Sequence, residues 1–190
     1  FSESTAILAG NSLLTIAFQI LSQKQLNLSE KKKTKLINLL SQSSGHAGIA
    51  GGQFLDLSYE NKKINFSKII SMQRKKTGKL FEFCCLAPAI VINGSSRTKR
   101  TMSTIGSEIG LLFQIADDFL DIKGSKKNVG KPVNKDIKKG KSTLIKLIGY
   151  NKTLEFALKR KKLIIEKLKK YGKRSDRLMN TVNFILNRTY

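Results

Sequence analysis

The feature that most constrains the fold of this chain is an apolar segment, residues 110–121, that carries three acidic side chains. Asp117, Asp118 and Asp121 lie in the run GLLFQIADDFLD, in a sequence that has 13 acidic residues against 36 Lys and Arg. Carboxylates within an apolar region are costly unless a positive group balances them. A divalent cation that also holds a phosphate would balance them, whereas an exposed acidic turn at a helix end would need no partner, and both interpretations are open at this point.

Helical periodicity extends upstream of this run. Within residues 105–121, one set of apolar positions recurs every three or four residues, namely Ile105, Ile109, Leu112, Ala116 and Leu120. Gln114, Asp117 or Asp118, and Asp121 follow the same rule on a second stripe. Mg²⁺ usually takes one or two carboxylates together with substrate phosphates. The pattern therefore predicts a buried helix whose acidic stripe faces a cavity.

Composition favours an all-α chain forming a single domain over residues 1–190. Apolar residues make up 40% of the sequence, and there are two prolines, no tryptophan and no long alternating β-branched runs. The periodicity and turn signals predict helices over 4–23, 30–57, 68–76, 79–92, 96–121, 142–149, 151–170 and 173–188. Ser29 and Ser67 are predicted to cap the second and third of these helices.

The cellular location of the protein is predicted from targeting segments and cysteines. We find no signal peptide and no run of about 18 apolar residues, so we expect a cytoplasmic protein without stable membrane insertion. Cys84 and Cys85 are adjacent, which does not suit a disulfide between them. The chain starts at Phe1 rather than at methionine, and we expect a further segment before it.

The formal net charge of +23 allows three explanations. A nucleic acid or an anionic membrane would be attracted to it, a compositional preference for lysine would produce it, and an anionic substrate would require part of it. The lysine runs at 31–33, 159–162 and 167–170 have no interleaved aromatic residues. We therefore predict a phosphorylated substrate on a lysine-rich background and no nucleic-acid partner.

A glycine-rich segment, residues 45–52, interrupts the predicted helix 30–57. Each glycine within a helix costs about 1 kcal/mol relative to alanine, so we expect close backbone packing or a nearby ligand. Gln53 and Asp56 follow at positions i and i+3 and form a second polar face.

The long polar segment 122–140 is predicted to be a lid loop, because connections of this length within a domain are usually functional or disordered. Its basic residues would close over phosphates. The tetrapeptide GKST at 140–143 is not a P-loop, since Lys135 stands where that motif has its first glycine and no strand precedes it.

Taken together, the motifs resemble those of one family. The blocks GQFLD (52–56), KTG (76–78), FQIADDFLD (113–121) and a GK pair (130–131) followed by GKST (140–143) occur in the order and approximate spacing of the short-chain trans-prenyltransferases. The chain is most similar to the bacterial farnesyl diphosphate synthases. The resemblance implies an isoprenoid synthase bundle of long helices around a central cavity, of which the chain would supply the C-terminal two-thirds.

The resemblance also implies an activity. These enzymes condense isopentenyl diphosphate with an allylic diphosphate, require Mg²⁺ and are usually homodimers, and the expected product is farnesyl diphosphate. The implied magnesium ligands are Asp117, Asp118 and, through water, Asp121. The implied diphosphate-binding residues are Lys76, Lys131, Lys141 and Gln53.

Further roles follow from the same resemblance. Lys76, Thr77 and Gln114 are implied to act beside the developing allylic cation, with Asp56 and Phe113 supporting them. The family's first aspartate-rich motif and its isopentenyl diphosphate site would lie upstream of Phe1. A non-catalytic regulatory subunit and a geranylgeranyl diphosphate synthase are the alternatives. A basic nucleic-acid binder would leave the acidic stripe unexplained.

Overall fold

The computed structural model of the protein describes residues 2–123 and 141–188. Within these residues all regular structure is helical, which confirms the all-α prediction. The helices are α1 (Glu3–Ser22), α2 (Glu30–Ser44), α3 (Ile49–Ser58), α4 (Phe66–Gln73), α5 (Lys79–Val91), α6 (Ser96–Lys123), α7 (Leu144–Ile148), α8 (Tyr150–Lys169) and α9 (Asp176–Asn187). A π-helical turn, Arg74–Gly78, joins α4 to α5.

Helix α6 forms the centre of the bundle. Ser95 caps it by accepting a hydrogen bond from the backbone N–H of Thr98 at 3.1 Å. The predicted apolar stripe is buried at Ile105, Ile109, Leu112 and Ala116. Leu111, Ile115 and Phe119 are buried as well, so α6 is enclosed on more sides than the stripe alone predicts. Each fully buried Leu or Ile contributes about 1.5–3 kcal/mol.

Glycines let α6 lie against the π turn and α5. A Cβ atom at Gly110 would lie 2.5 Å from the Cα of Gly78, and one at Gly106 would lie 2.4 Å from the backbone oxygen of Phe81. No side chain fits in either gap. The backbone of the π turn therefore approaches the polar stripe of α6 closely, and π turns of this kind are frequent at functional sites.

The predicted helix 30–57 is wrong as a single element, because the chain forms α2 and α3 with a turn between them. A Cβ at Gly48 would lie 1.9 Å from the backbone oxygen of Ser43, so only glycine allows this reversal. The expected close backbone packing is confirmed one turn later. A Cβ at Gly52 would lie 2.2 Å from the backbone nitrogen of Lys76.

Two predicted helix starts also need correction. Asn65, not Ser67, caps α4, because its Oδ1 accepts the backbone N–H of Lys68 at 2.9 Å. Ser29 stands at the start of α2, but its side chain makes no capping hydrogen bond. The predicted helix 68–76 is divided between α4 and the π turn.

Helix α1 has the predicted length of 20 residues but is more apolar than expected. Within the described residues it is the one helix long and apolar enough to cross a membrane by length and composition, with a mean hydropathy of 1.5. Glu3 is its only charged residue, and polar residues such as Asn11 do not lower the hydropathy enough. None of its residues is buried. The prediction that the sequence has no such segment is therefore wrong.

The remaining elements follow the predicted order. Helix α6 continues to Lys123, so the loop predicted over 122–140 begins later than expected, and residues 124–140 lie outside the described part of the chain. Thr143 caps α7 by accepting the backbone N–H of Lys146 at 3.2 Å. Helices α8 and α9 then pack against α6.

Candidate active site

Two carboxylates of the acidic stripe line one cavity. Asp118 and Asp121, which are 4% and 6% exposed, face a space of about 270 Å³ that Lys141 and Thr143 also line. Asp118 and Asp121 are positions i and i+3 of α6, so helical geometry places them on the same side. The structure thereby favours Asp118 over Asp117 as the member of the predicted polar stripe.

A chain of hydrogen bonds orients the Asp118 carboxylate. The Oγ1 of Thr77 donates to the Oε1 of Gln114 at 2.9 Å. The Nε2 of Gln114 in turn donates to the Oδ1 of Asp118 at 3.1 Å. From α4, the Nε2 of Gln73 donates to the Oδ2 of Asp118 at 3.2 Å. Both carboxylate oxygens are therefore held by neutral amide groups.

Lys76 is fixed by an acidic residue of α3. Its Nζ lies 2.6 Å from the Oδ2 of Asp56, and both side chains are mostly buried. Lys76, Asp56, Asp118 and Lys141 all line a second, smaller cavity of about 20 Å³. The predicted lysine and its supporting carboxylate are thus brought to the acidic stripe.

Lys141 is held in place through its neighbour in sequence. The Oγ of Ser142 donates to the backbone oxygens of Tyr59 at 3.1 Å and Lys62 at 3.2 Å. This contact ties the segment before α7 to the loop that follows α3. Lys131, the other lysine predicted to bind diphosphate, lies outside the described residues.

Asp117 is placed differently from the other two acidic residues. Its Oδ1 lies 2.6 Å from a guanidinium nitrogen of Arg188. Arg188 also donates to the backbone oxygen of Phe113 at 3.1 Å and stacks over its ring, 4.0 Å from the centroid. Arg188, the residue after α9, therefore forms an ion pair with Asp117 and also contacts Phe113. Asp117 does not line the cavity that Asp118 and Asp121 share.

Gln53 is also not brought into the site. It is exposed on α3, and neither cavity includes it among its described lining residues. Its i+3 neighbour Asp56 points to Lys76 instead. Of the polar face predicted on α3, Gln53 therefore faces solvent and Asp56 faces the candidate site.

The donor set can accommodate magnesium. The described residues contain no group of three or more His, Cys, Asp or Glu side chains arranged to hold a metal ion. Asp118 and Asp121 still offer two buried carboxylates on one cavity, and Mg²⁺ commonly takes one or two carboxylates and completes its shell with water and phosphate. The arrangement fits Mg²⁺ that is shared with an anionic ligand.

Among the described residues a larger cavity, about 590 Å³, lies elsewhere and is an open groove. Most of its charged side chains are neutralised within the protein: Arg74 pairs with Glu108, and Lys79 lies 2.9 Å from Glu82. Of the described residues predicted for the site, none lines it.

Three residues at the site carry no role in the sequence-based prediction: Gln73, Thr143 and Arg188. Gln73 precedes Lys76 by three residues, and this helical spacing is a usable signal. Thr143 lies two residues after Lys141 within the GKST tetrapeptide. Arg188 is 75 residues from Phe113, and no local pattern indicates that contact.

Comparison with known proteins shows the family of the chain. The profile of the family described as Polyprenyl synthetase matches residues 1–184. The chain belongs to the polyprenyl synthetase family. It is 36% identical over 188 residues to the farnesyl diphosphate synthase of Micrococcus luteus, covering 99% of this chain and 64% of that protein. It is 40% identical over 157 residues to the farnesyl diphosphate synthase of Haemophilus influenzae, covering 80% of this chain and 52% of that protein.

Solved polyprenyl synthetase relatives share the fold. A crystal structure of an FPP/GFPP synthase from Zymomonas mobilis superposes with a TM-score of 0.81 at 31% identity, covering 97% of this chain and 62% of that chain. A geranyltransferase from Helicobacter pylori, complexed with magnesium and isoprenyl diphosphate, gives a TM-score of 0.80 at 26% identity over 98% of this chain and 61% of that chain. The chain thus spans less than two thirds of the length of these relatives.

Proposed function

We propose that this protein is a prenyltransferase that condenses isopentenyl diphosphate with an allylic diphosphate, either dimethylallyl or geranyl diphosphate, with farnesyl diphosphate as its main product. The observation that carries the proposal is the shared cavity, where two buried carboxylates face Lys141. Membership of the polyprenyl synthetase family and the similarity to farnesyl diphosphate synthases support the choice of substrates.

In this proposal the carboxylates and the lysines of the site bind a diphosphate in different ways. Asp118 and Asp121 would hold Mg²⁺, and Lys76 and Lys141 would contact the phosphate oxygens directly, as lysine commonly does. Bound magnesium would stabilise the negative charge of the departing diphosphate. Asp117 would join the metal site only after leaving Arg188, so its predicted role requires a rearrangement that those of Asp118 and Asp121 do not.

The reaction then follows from charge. When the allylic C–O bond breaks, its electron pair leaves with the diphosphate and a carbocation remains. The oxygen atoms of Thr77 and Gln114 would stabilise this cation as fixed dipoles. The double bond of isopentenyl diphosphate attacks the cation and forms the new C–C bond, and the resulting cation loses a proton to the released diphosphate. The chemistry needs no Ser, Cys or His nucleophile.

The assay for this function uses the complete product of the gene. Incubation with isopentenyl diphosphate, geranyl diphosphate and Mg²⁺ should give farnesyl diphosphate and stoichiometric inorganic diphosphate, and chelation of the metal should stop both. A C20 product would indicate a geranylgeranyl diphosphate synthase. The absence of any prenyl product from folded protein would leave the regulatory-subunit alternative.

We also infer that the protein acts in the cytoplasm as a homodimer, without membrane insertion. Six large apolar side chains of α1 are exposed, and a second subunit would cover them, since exposed apolar patches often mark interfaces. Sedimentation analysis of the complete gene product should give twice the monomer mass, and cell fractionation should leave it in the supernatant when membranes are pelleted. A monomer, or a protein that requires detergent for extraction, would contradict this inference.

A further inference from the structure

Gln73, the last residue of α4, donates a hydrogen bond to the Asp118 carboxylate from outside α6. It is 2% exposed. Burying an amide is unfavourable unless its polar atoms are paired, so its position in the interior needs an explanation. Its neighbour on the helix, three residues on, is Lys76.

The two amides that contact Asp118 hold different oxygens. Gln114 donates to Oδ1 from within α6, and Gln73 donates to Oδ2 from α4. A carboxylate has about four lone-pair sites, so two amide donors fix its plane and use about half of these sites. Gln114 moves with α6, whereas Gln73 ties the carboxylate to the segment that carries Lys76.

The other end of the Gln73 amide indicates a ligand. Its Oε1 is buried and has no hydrogen-bond partner among the described residues. Gln73 lines the cavity of about 20 Å³ together with Lys76 and Lys141. A space of this size holds about one water molecule. A buried acceptor without a partner is unfavourable, and such a group in a native protein calls for an explanation, such as a bound water, an ion or a role in catalysis.

We propose that Gln73 is a positioning residue for the metal–diphosphate site. Its N–H group sets the direction of the Asp118 carboxylate, and its Oε1 accepts a hydrogen bond in the occupied site, from a metal-bound water or from a lysine ammonium group. This inference rests on the proposed function, because it assumes that Asp118 binds a metal ion.

A purely structural role predicts something different. If Gln73 only links α4 to α6, its loss would lower thermal stability and leave metal affinity unchanged. If it orients a metal ligand, metal affinity should fall even in a folded variant. Replacing a group that orients a ligand typically weakens metal binding by about 10–100-fold.

The test measures metal binding without turnover, using Mn²⁺ and inorganic diphosphate followed by electron paramagnetic resonance. Gln73→Met, which keeps the size but removes both hydrogen bonds, should weaken Mn²⁺ binding at least about tenfold. The matched control is Gln42→Met, an exposed glutamine of α2, which should bind Mn²⁺ as the wild type does. Gln73→His, which retains a ring N–H for Asp118, should stay within about threefold of the wild type.

The outcomes separate the two proposals. An affinity of folded Gln73→Met within about twofold of the wild type overturns the role of Gln73, and so does a folded Gln73→His that binds as weakly as the methionine variant. If Gln73→Met does not fold, Gln73→His decides instead: Mn²⁺ binding within about threefold of the wild type supports the role of Gln73, and binding weakened by about tenfold or more overturns it. If the wild type neither binds Mn²⁺ with diphosphate nor forms a prenyl product, the proposed function itself fails.

Discussion

Replacing Gly52 with alanine should displace Lys76 of the candidate site, because Gly52 packs against the backbone of that lysine. The new Cβ would lie 2.2 Å from the backbone nitrogen of Lys76 and 2.4 Å from its Cα, whereas ordinary contact begins at 3.4 Å. Backbone atoms cannot rotate away as side-chain atoms do, so α3 must move from the π turn by about 1 Å, the difference between these distances. Overpacking of this kind costs about 1–3 kcal/mol.

The same displacement would disturb the ion pair behind the site. The Lys76–Asp56 contact of 2.6 Å would lengthen beyond the roughly 3.2 Å limit of a good hydrogen bond. We therefore expect Gly52→Ala to lose about 3 kcal/mol of unfolding free energy, at the upper end of the overpacking range. We also expect weaker binding of inorganic diphosphate with Mg²⁺.

Urea denaturation followed by circular dichroism gives the unfolding free energy, and calorimetry gives the diphosphate affinity. Gly10→Ala is the matched control, because a Cβ there meets nothing within 4 Å. Alanine is the better helix former by about 1 kcal/mol, so this control should be as stable as the wild type or more so. If Gly52→Ala keeps both stability and diphosphate affinity, the proposed coupling between α3 packing and Lys76 is wrong.

Three further predictions follow from other contacts. Arg188→Leu should lower the unfolding free energy by about 2 kcal/mol, because it removes the charged hydrogen bond to Asp117. Urea denaturation measures this loss, and a midpoint equal to that of the wild type would argue against the contact. Thr77→Val keeps the shape of the side chain but removes the hydrogen-bond donor to Gln114. We expect kcat to fall about tenfold or more, with little change in the midpoint of thermal unfolding. An unchanged kcat would show that Thr77 has no role in the mechanism. Burial raises the pKa of the Cys84 thiol, and burial followed by the effect of Cys84 raises the pKa of Cys85 to about 11. Cys85, the less exposed of the two thiols, should thus react slowly with iodoacetamide at pH 8, as mass spectrometry would show. The contribution of its neutral thiol to the unfolding free energy should be complete below about pH 9 and lost as the pH rises through about 11. Rapid alkylation of Cys85 in folded protein at pH 8 would contradict its burial.

The sequence anticipates the helical class, and local spacing also anticipates which side chains of α6 lie together in the candidate site. The three-residue interval between Asp118 and Asp121 places them on one cavity, and the interval between Gln114 and Asp118 permits their hydrogen bond. The pairing of Lys76 with Asp56 is suggested only by the family resemblance, since 20 residues separate them.

What the sequence does not reveal depends on tertiary contacts. Helical spacing does not distinguish Asp117 from Asp118 as the member of the polar stripe. In the structure Arg188, which is distant in sequence, forms an ion pair with Asp117. The break between α2 and α3 arises because Gly48 packs on the backbone of Ser43, a contact that composition alone does not specify. The π turn at Arg74–Gly78 likewise lies against α6, at Gly78 and Gly110, and no local pattern in the sequence indicates this contact.

The measurement that tests the central claim most directly is the turnover of Asp118→Asn. Asparagine keeps the shape of the side chain but removes the negative charge that would hold Mg²⁺ beside Asp121. With geranyl and isopentenyl diphosphates at saturating Mg²⁺, the wild type should form farnesyl diphosphate. The variant should retain native circular dichroism but turn over at least about 100-fold more slowly. A folded Asp118→Asn that keeps more than about a tenth of wild-type turnover would contradict the assignment of the acidic stripe as the catalytic metal site.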